Sequence, residues 1–142
     1  MTNKKNYRIL IICTGNSCRS QIAEGFFRSL GYNIIEVMSA GITAHGLNPL
    51  AIKTMSDIGI DISAHESDDV AKYLDQSFDY VITVCENAEK NCPVFPGKVE
   101  RLHWPFEDPA IASGTKSEKL AVFAEIRDQI GRRVELFISK LS

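Results

Sequence analysis

A cysteine and an arginine enclose a short loop of small polar residues near the start of the chain. Cys13 and Arg19 are separated by five residues, and Ser20 follows directly. The backbone N–H groups of such a tight loop can surround a tetrahedral oxyanion, and a helix starting at its end adds its dipole. Arg19 can grip two oxygens of the anion, and the positive field favours the nucleophilic thiolate form of Cys13. We therefore predict oxyanion binding by Thr14, Gly15, Asn16, Ser17, Cys18, Arg19 and Ser20.

Three further cysteines leave several kinds of chemistry open. Cys85 ends an apolar run and could be a small buried hydrophobe. Cys92 follows the polar segment 86–91, where simple burial explains a cysteine less well. A thiol at a strand end can attack a sulfur in a neighbouring loop, and a second thiol can resolve the resulting disulfide. Cys18 is interpreted as a packing residue without a catalytic role.

The elements that must position these residues alternate between strands and helices. Apolar runs predict strands at 8–13, 34–40 and 80–85, with a more polar one at 99–104. Helical spacing or capping signals predict helices at 20–30, at 48–59 and at 67–75, where Ser67 is the expected cap. A final helix of about 25 residues is indicated by an apolar stripe at Leu120, Phe123, Ile126, Ile130, Val134, Phe137 and Leu141.

This alternation predicts a single α/β domain over residues 1–142, with a four-stranded parallel sheet covered by helices on both faces. In such sheets, ligands bind at the carboxyl ends of the strands. Because Cys13 and Cys85 each end a predicted strand, we expect them to share one site.

The overall composition excludes some classes of function. The formal net charge of −2 gives no general affinity for nucleic acid or anionic membranes. The N-terminal residues are polar, and the apolar run at 9–13 is too short for a signal segment or a membrane span. We therefore expect a cytoplasmic protein.

Residues 13–25, Cys-Thr-Gly-Asn-Ser-Cys-Arg-Ser-Gln-Ile-Ala-Glu-Gly, resemble the opening of the low-molecular-weight tyrosine phosphatase fold and, within it, the thioredoxin-coupled arsenate reductases. The resemblance covers nearly the whole chain. It continues in the same order through Ser39-Ala40-Gly41, Asn48-Pro49, Asp61-Ile62-Ser63, Thr83-Val84-Cys85, Asn91-Cys92-Pro93, His103-Trp104 and Asp108-Pro109.

The resemblance implies a relay of three cysteines that reduces arsenate to arsenite. Cys13 would attack arsenate, and Cys85 would displace arsenite to leave a Cys13–Cys85 disulfide. Cys92 would then attack Cys85, and an external dithiol protein would reduce the Cys85–Cys92 disulfide. The resemblance favours thioredoxin over glutaredoxin as that protein, and we expect a monomer.

An acidic loop supplies a candidate general acid. Asp108-Pro109 matches an Asp-Pro loop of the resembling family, and Asp108 would protonate the oxygen that leaves arsenic. An Asp-Pro pair is also a frequent turn. Glu107 is the nearest alternative acid.

Some relatives hold a potassium ion beside the loop. The matching residues offer hard oxygen ligands that suit an alkali cation: Asn16, Glu24, Ser39 and Asp68. Each also has an ordinary explanation as a turn, surface, strand-end or helix-start residue. No other cofactor is expected. His45, His65 and His103 show no metal-ligand spacing and are interpreted as structural or peripheral.

Two other functions remain open. A tyrosine phosphatase would use the same loop and acid but would not need Cys85 and Cys92. Such phosphatases carry aromatic residues just after the Asp-Pro pair, whereas Ala110 and Ile111 stand here. A structural zinc module could use all four cysteines, but their spacings are wide for a zinc knuckle.

Overall fold

Four parallel strands form the centre of the fold. The computed structural model describes residues 6–141. The strands are β1 (Tyr7–Cys13), β2 (Ile35–Gly41), β3 (Tyr80–Thr83) and β4 (Glu100–His103), and their order in the sheet is β2-β1-β3-β4. All three pairings are parallel. The predicted four-stranded parallel sheet is therefore confirmed.

Four α-helices connect and cover these strands: α1 (Arg19–Gly31), α2 (Pro49–Ser56), α3 (Glu86–Lys90) and α4 (Lys116–Ser139). The side chain of Asn48 caps α2 by accepting a hydrogen bond from the Leu50 N–H, as its sequence pattern predicts. Thr115 and Glu118 form a reciprocal capping box at the start of α4. Two short 3-10 helices, Val70–Tyr73 and Pro109–Ile111, complete the secondary structure of residues 6–141.

The sheet is covered on both faces, which the strand β1 shows most clearly. Successive side chains of a strand point to opposite faces, and Ile9, Leu10, Ile11 and Ile12 are all completely buried. At the start of β1, the Tyr7 hydroxyl donates to a carbonyl just beyond α4, whereas the Arg8 guanidinium stacks on Phe78. The uninterrupted apolar run of β1 is explained by this double coverage.

The predicted helix at 67–75 is wrong. The structure has only the 3-10 helix Val70–Tyr73 in this region. The Ser67 hydroxyl does not cap a helix but lies against the backbone carbonyl of Asn16 at 3.0 Å. The Asp68 N–H donates to the Asn16 side chain, and the Asp68 carbonyl accepts from Gly41. These contacts hold the segment extended against the loop that follows β1, so too few residues remain for an α-helix.

No helix within residues 6–141 is long and apolar enough to cross a membrane.

The end of β2 leaves no room for a side chain beside the loop that follows β1. Gly41 pairs with Cys13 across the sheet. A Cβ atom at Gly41 would lie 2.8 Å from both the Asn16 nitrogen and the Gly15 carbonyl carbon. Because these are backbone atoms, the loop itself would have to move.

We predict that Gly41→Ala will displace this loop. Overpacking of this kind costs roughly 1–3 kcal/mol in stability, and phosphate affinity should fall by about tenfold or more, since each tenfold step corresponds to about 1.4 kcal/mol. Calorimetric titration with inorganic phosphate would measure it. Gly131→Ala is the matched control, because the atoms nearest to its Cβ would be those of the flexible Phe26 side chain on α1 and not loop backbone. Unchanged phosphate affinity in a folded Gly41→Ala protein would contradict the prediction.

Candidate active site

The loop between β1 and α1 is anchored to its surroundings through its carbonyl groups. The segment after β2 donates backbone hydrogen bonds to the loop carbonyls of Thr14, Gly15 and Ser17, from Thr43, His45 and Asn48 respectively. One N–H of the loop, that of Asn16, donates to the Cys13 sulfur over 3.2 Å. A loop with this arrangement can bind an anion through its backbone.

Cys13 lies at the base of this loop and is only 3% exposed. Its sulfur is 2.9 Å from the hydroxyl of Ser20, in the first turn of α1. Together with the Asn16 N–H, this hydroxyl gives the sulfur two hydrogen-bonding partners of the kind that stabilise a thiolate. The structure thus brings Cys13 and Ser20, both of which the sequence assigns to the oxyanion loop, into direct contact.

Asn16 fixes the shape of the loop. It has a φ of 50°, in the left-handed region that few residues other than glycine adopt. Its side-chain N–H₂ donates to Ser20 over 2.8 Å and to Ser39 over 2.9 Å. Its side-chain oxygen accepts from the Asp68 N–H over 2.8 Å. The amide therefore joins the loop to α1, to β2 and to the segment after α2.

Arg19 connects the loop to the acidic segment after β4. It is the first residue of α1, and its guanidinium donates to the Phe106 carbonyl over 3.0 Å. Its other terminal nitrogen lies 3.8 Å from an Asp108 carboxylate oxygen. Asp108 also accepts from the Ala110 N–H, which fixes the start of the 3-10 helix Pro109–Ile111. Glu107 is exposed, so the geometry favours Asp108 as the acid near the loop.

Cys85 lies against the same loop from the β3 side. It is 5% exposed, and its sulfur is 3.3 Å from the Thr14 hydroxyl. Its sulfur also accepts from the Ala88 N–H at the start of α3, over 3.4 Å. Cys13 and Cys85 therefore both lie beside the loop that follows β1.

Cys92 lies beyond the other end of α3 and is half-buried. Burial raises the pKa of its thiol, and the nearby Arg101 guanidinium opposes that shift. Cys18 differs because it is buried within the core, and this burial raises the pKa of its thiol to about 11. Cys18 therefore stays protonated near neutral pH, in keeping with a packing residue. All four cysteines are free thiols.

The four residues matched to a potassium site lie in one hydrogen-bonded network. The Ser39 hydroxyl donates to Glu24 over 2.5 Å and accepts from Asn16. Asp68 contacts Asn16 through its backbone, and its carboxylate accepts from the Tyr73 hydroxyl over 3.2 Å. Three of them, Glu24, Ser39 and Asp68, line a cavity of about 360 Å³.

Basic groups also reach this network. Arg28 donates to the Glu24 carboxylate over 2.7 Å, and Lys72 lies 3.5 Å from the Asp68 carboxylate. The ring of His65 is 3.0 Å from the Gln21 side-chain oxygen and 3.6 Å from Glu24. Burial lowers the pKa of His65, although Glu24 opposes that shift.

The zinc hypothesis finds no support in the geometry. Within the part of the chain that the structure describes, no three Cys, His, Asp or Glu side chains are grouped so that they could hold a metal ion. Cys85 and Cys92 are instead placed at opposite ends of α3.

Two features of the site have no signal in the sequence pattern. Thr14 was expected only to bind the oxyanion, yet its hydroxyl also contacts Cys85. A hydrogen-bonded chain through Thr83 and His103 ties α3 to the sheet. Both depend on which strands pair and in what register, so only the β1–β3–β4 arrangement reveals them.

Comparison with known proteins agrees with this geometry. Residues 8–142 match the family model described as low molecular weight phosphotyrosine protein phosphatase. The chain is 51% identical over 129 residues to an arsenate reductase of Halalkalibacterium halodurans, covering 91% of this chain and 93% of that protein. It is 48% identical over 133 residues to an arsenate reductase of Bacillus subtilis, covering 94% and 96%.

A solved structure of an arsenate reductase in its oxidized state superimposes with a TM-score of 0.82 at 35% identity, covering 96% of this chain and 99% of that one. Fold, loop and sequence similarity thus lead to one assignment. The chain belongs to the low molecular weight phosphotyrosine protein phosphatase family, in the branch that contains these arsenate reductases.

Proposed function

We propose that this chain reduces arsenate to arsenite through successive reactions of Cys13, Cys85 and Cys92. The observation that carries the proposal is the second buried thiol, Cys85, placed against the loop that holds Cys13. A hydrolytic phosphatase has no use for a thiol at that position. The similarity to arsenate reductases over more than nine-tenths of the chain supports the same conclusion.

In the first step, the loop N–H groups and Arg19 bind arsenate. The Cys13 thiolate attacks arsenic, so a sulfur–arsenic bond forms and an arsenic–oxygen bond breaks. Asp108, 3.8 Å from Arg19, is placed to give a proton to the leaving oxygen, which departs as water. The Ser20 hydroxyl and the Asn16 N–H hold the sulfur in position for the attack.

In the second step, the Cys85 thiolate attacks the Cys13 sulfur. A sulfur–sulfur bond forms and the sulfur–arsenic bond breaks, with its electron pair passing to arsenic. Arsenic is thereby reduced from As(V) to As(III) and leaves as arsenite, while the two thiols are oxidised to the Cys13–Cys85 disulfide. Thr14 lies beside the Cys85 sulfur and positions it next to the loop.

In the third step, Cys92 attacks Cys85 and frees Cys13. Cys85 and Cys92 are seven positions apart and flank the five-residue helix α3, and seven helical steps correspond to a rise of roughly 10 Å. A disulfide requires a Cα–Cα distance of at most about 7 Å. Since α3 spans Glu86–Lys90, it must open before the Cys85–Cys92 disulfide can form.

The surroundings of the reaction follow from its chemistry. The cycle needs an external dithiol protein to reduce Cys85–Cys92, and we infer that thioredoxin fills this role. The cycle also needs reduced cysteines at rest, which the cytosol maintains, so we propose a cytoplasmic location. We further propose that the protein acts as a monomer and detoxifies arsenic.

Hydrolysis of phosphotyrosine is the second candidate. It is favoured by the loop and acid geometry, which a phosphatase would share. The segment after Asp108 counts against it, because Ala110 and Ile111 are exposed and supply no aromatic wall for a tyrosyl ring.

We predict that Asp108→Asn will slow arsenate reduction at saturating arsenate by roughly 10²–10⁴-fold, the usual value of general acid catalysis. Phosphate binding should be nearly unchanged, because Arg19 and the loop bind the anion. Steady-state turnover and calorimetry would measure the two effects. Glu107→Gln is the matched control, since that side chain is exposed. Wild-type turnover in Asp108→Asn would remove Asp108 from the mechanism.

We predict that Cys92→Ser will divide the reaction in two. This variant should release about one arsenite per protein and stop as a Cys13–Cys85 disulfide, because each exchange step needs its own attacking thiolate. Peptide mapping after arsenate treatment would identify the disulfide. Turnover with thioredoxin should be lost.

Two further variants serve as controls for this relay. Cys85→Ser should release little or no arsenite, and Cys18→Ser should change neither step. Multiple turnovers by Cys92→Ser, or a disulfide that involves Cys18, would overturn the relay.

We also propose that Asn16, Glu24, Ser39 and Asp68 hold a potassium ion. Their oxygens are hard donors that suit an alkali cation, and three of the residues line one cavity. A bound cation would supply positive charge that steadies the Asn16 network and hence the loop. Arg28 and Lys72 compete for the same two carboxylates, so we expect binding to be modest.

Potassium should therefore raise the melting temperature more than sodium at equal ionic strength, because a ligand that binds only the folded state stabilises it by mass action. Differential scanning calorimetry in the two chloride salts would measure the difference. In Ser39→Ala the difference should disappear. Identical melting temperatures for the wild type in both salts would count against a potassium site.

A further inference from the structure

A chain of hydrogen bonds ties α3 to the sheet. The Thr83 hydroxyl, at the end of β3, donates to the Glu89 carboxylate over 3.0 Å. One ring nitrogen of His103, Nδ1, lies 2.9 Å from the same hydroxyl. The other, Nε2, lies 3.0 Å from the Glu86 carboxylate. Thr83 and His103 are paired residues of β3 and β4, so the sheet holds two side chains of α3 at once.

Counting protons shows which form of His103 completes this chain. A threonine hydroxyl has one proton, which Thr83 gives to Glu89, so Nδ1 of His103 must donate to the hydroxyl oxygen. An ionised carboxylate only accepts, so Nε2 must donate to Glu86. The three contacts are therefore satisfied together only when both ring nitrogens carry a proton, which is the imidazolium form. The Leu102 carbonyl, 3.4 Å from the hydroxyl, is the other acceptor for Thr83, and donation to it leaves the count for His103 unchanged.

A neutral His103 cannot make all of these bonds. With its proton on Nδ1, the lone pair of Nε2 faces the Glu86 carboxylate. With its proton on Nε2, Nδ1 must accept from Thr83, and Glu89 loses its donor. In either tautomer one of the two bonds to α3 is lost.

We propose that His103 is a positioning residue that, when protonated, holds α3 closed and thereby delays the attack of Cys92 on Cys85. The inference rests on the proposed function. In the delayed step the Cys92 thiolate attacks the Cys85 sulfur, the Cys85–Cys92 bond forms, and the Cys13–Cys85 bond breaks with Cys13 leaving as thiolate. The step needs α3 to open, and the hydrogen bonds to Glu86 and Glu89 oppose that opening.

The charges around His103 fix the direction of the effect. The acidic groups in this chain are Glu86 and Glu89, both from α3, while β3 contributes the neutral Thr83. On β4, Glu100 and Arg101 are exposed, and Arg101 interacts with Cys92. A fall in pH populates the imidazolium form of a histidine ring and therefore tightens the closure. A rise in pH removes one bond and loosens it.

Hydrogen exchange of the reduced protein, without arsenate, tests the closure directly. After correction for the chemical exchange rate, protection of the α3 amides should fall about fivefold between pH 6 and pH 8, the factor for one hydrogen bond of typical strength. In Glu86→Ala, a neutral His103 with its proton on Nδ1 satisfies the remaining bonds. Protection should then be low at pH 6 and independent of pH. Glu86 is 72% exposed, so this variant should fold normally.

The matched control is Glu125→Gln, which removes one exposed acidic charge on α4 and should behave as wild type. His103→Gln should likewise lose the pH dependence of α3 protection. Protection of α3 that does not change with pH in the wild type, or that remains pH-dependent in Glu86→Ala, would overturn the proposal.

A single-turnover experiment links closure to the reaction. After arsenate is added, quenched samples give the rate of arsenite release and the rate of Cys85–Cys92 disulfide formation. Glu86→Ala should leave arsenite release unchanged and speed disulfide formation about fivefold at pH 6, with the ratio to wild type approaching one at pH 8. Because both proteins contain Cys92, dividing the rate of the variant by that of the wild type at the same pH removes the pH dependence that the Cys92 thiol contributes. Equal or slower disulfide formation at pH 6 would refute the delay. Failure of the wild type to release arsenite would instead refute the proposed function, and the exchange result would be unaffected.

Discussion

The side-chain amide of Asn16 makes hydrogen bonds to three separate parts of the chain, and the site depends on that one group. Its left-handed backbone turns the loop so that its own N–H meets the Cys13 sulfur. A conformation of this kind costs of order 1–3 kcal/mol. The bonds to Ser20, Ser39 and the Asp68 backbone, at about 1 kcal/mol each, are enough to hold it. Loss of the amide would remove one contact each to α1, to β2 and to the segment before the first 3-10 helix.

The parallel sheet brings the reactive groups to that loop from distant parts of the sequence. The strands β1 and β3 are neighbours in the sheet. Cys13 and Cys85 follow the last paired residues of these strands and therefore lie at the same end of the sheet. The strand β4 adds the chain that leads through Phe106 to Asp108, and Arg19 contacts both of these residues. Arg19 is thus the residue that is expected to bind the anion and that also contacts Asp108. Its planar, rigid guanidinium therefore sets the distance between Asp108 and the loop.

The sequence was most informative where local pattern and tertiary structure agree. The apolar run at 9–12 correctly predicted a buried strand, since both faces of β1 are covered. The spacing of Cys13 and Arg19 predicted the loop because all the residues of its chemistry lie within eight positions of the sequence. The failure at 67–75 arose because Asp68 bonds to Asn16, more than fifty residues away, and such contacts leave no periodic trace. The hydrogen bonds that link Thr83, His103 and Glu89 could not be predicted for the same reason. They exist only when β3 and β4 pair in their observed register.

The position of β4 at the edge of the sheet has a consequence for solubility. An edge strand presents unpaired backbone groups that can pair with a strand of another molecule and begin aggregation. The first two residues of β4, Glu100 and Arg101, are charged and exposed, and the strand is only four residues long. Both features discourage intermolecular pairing.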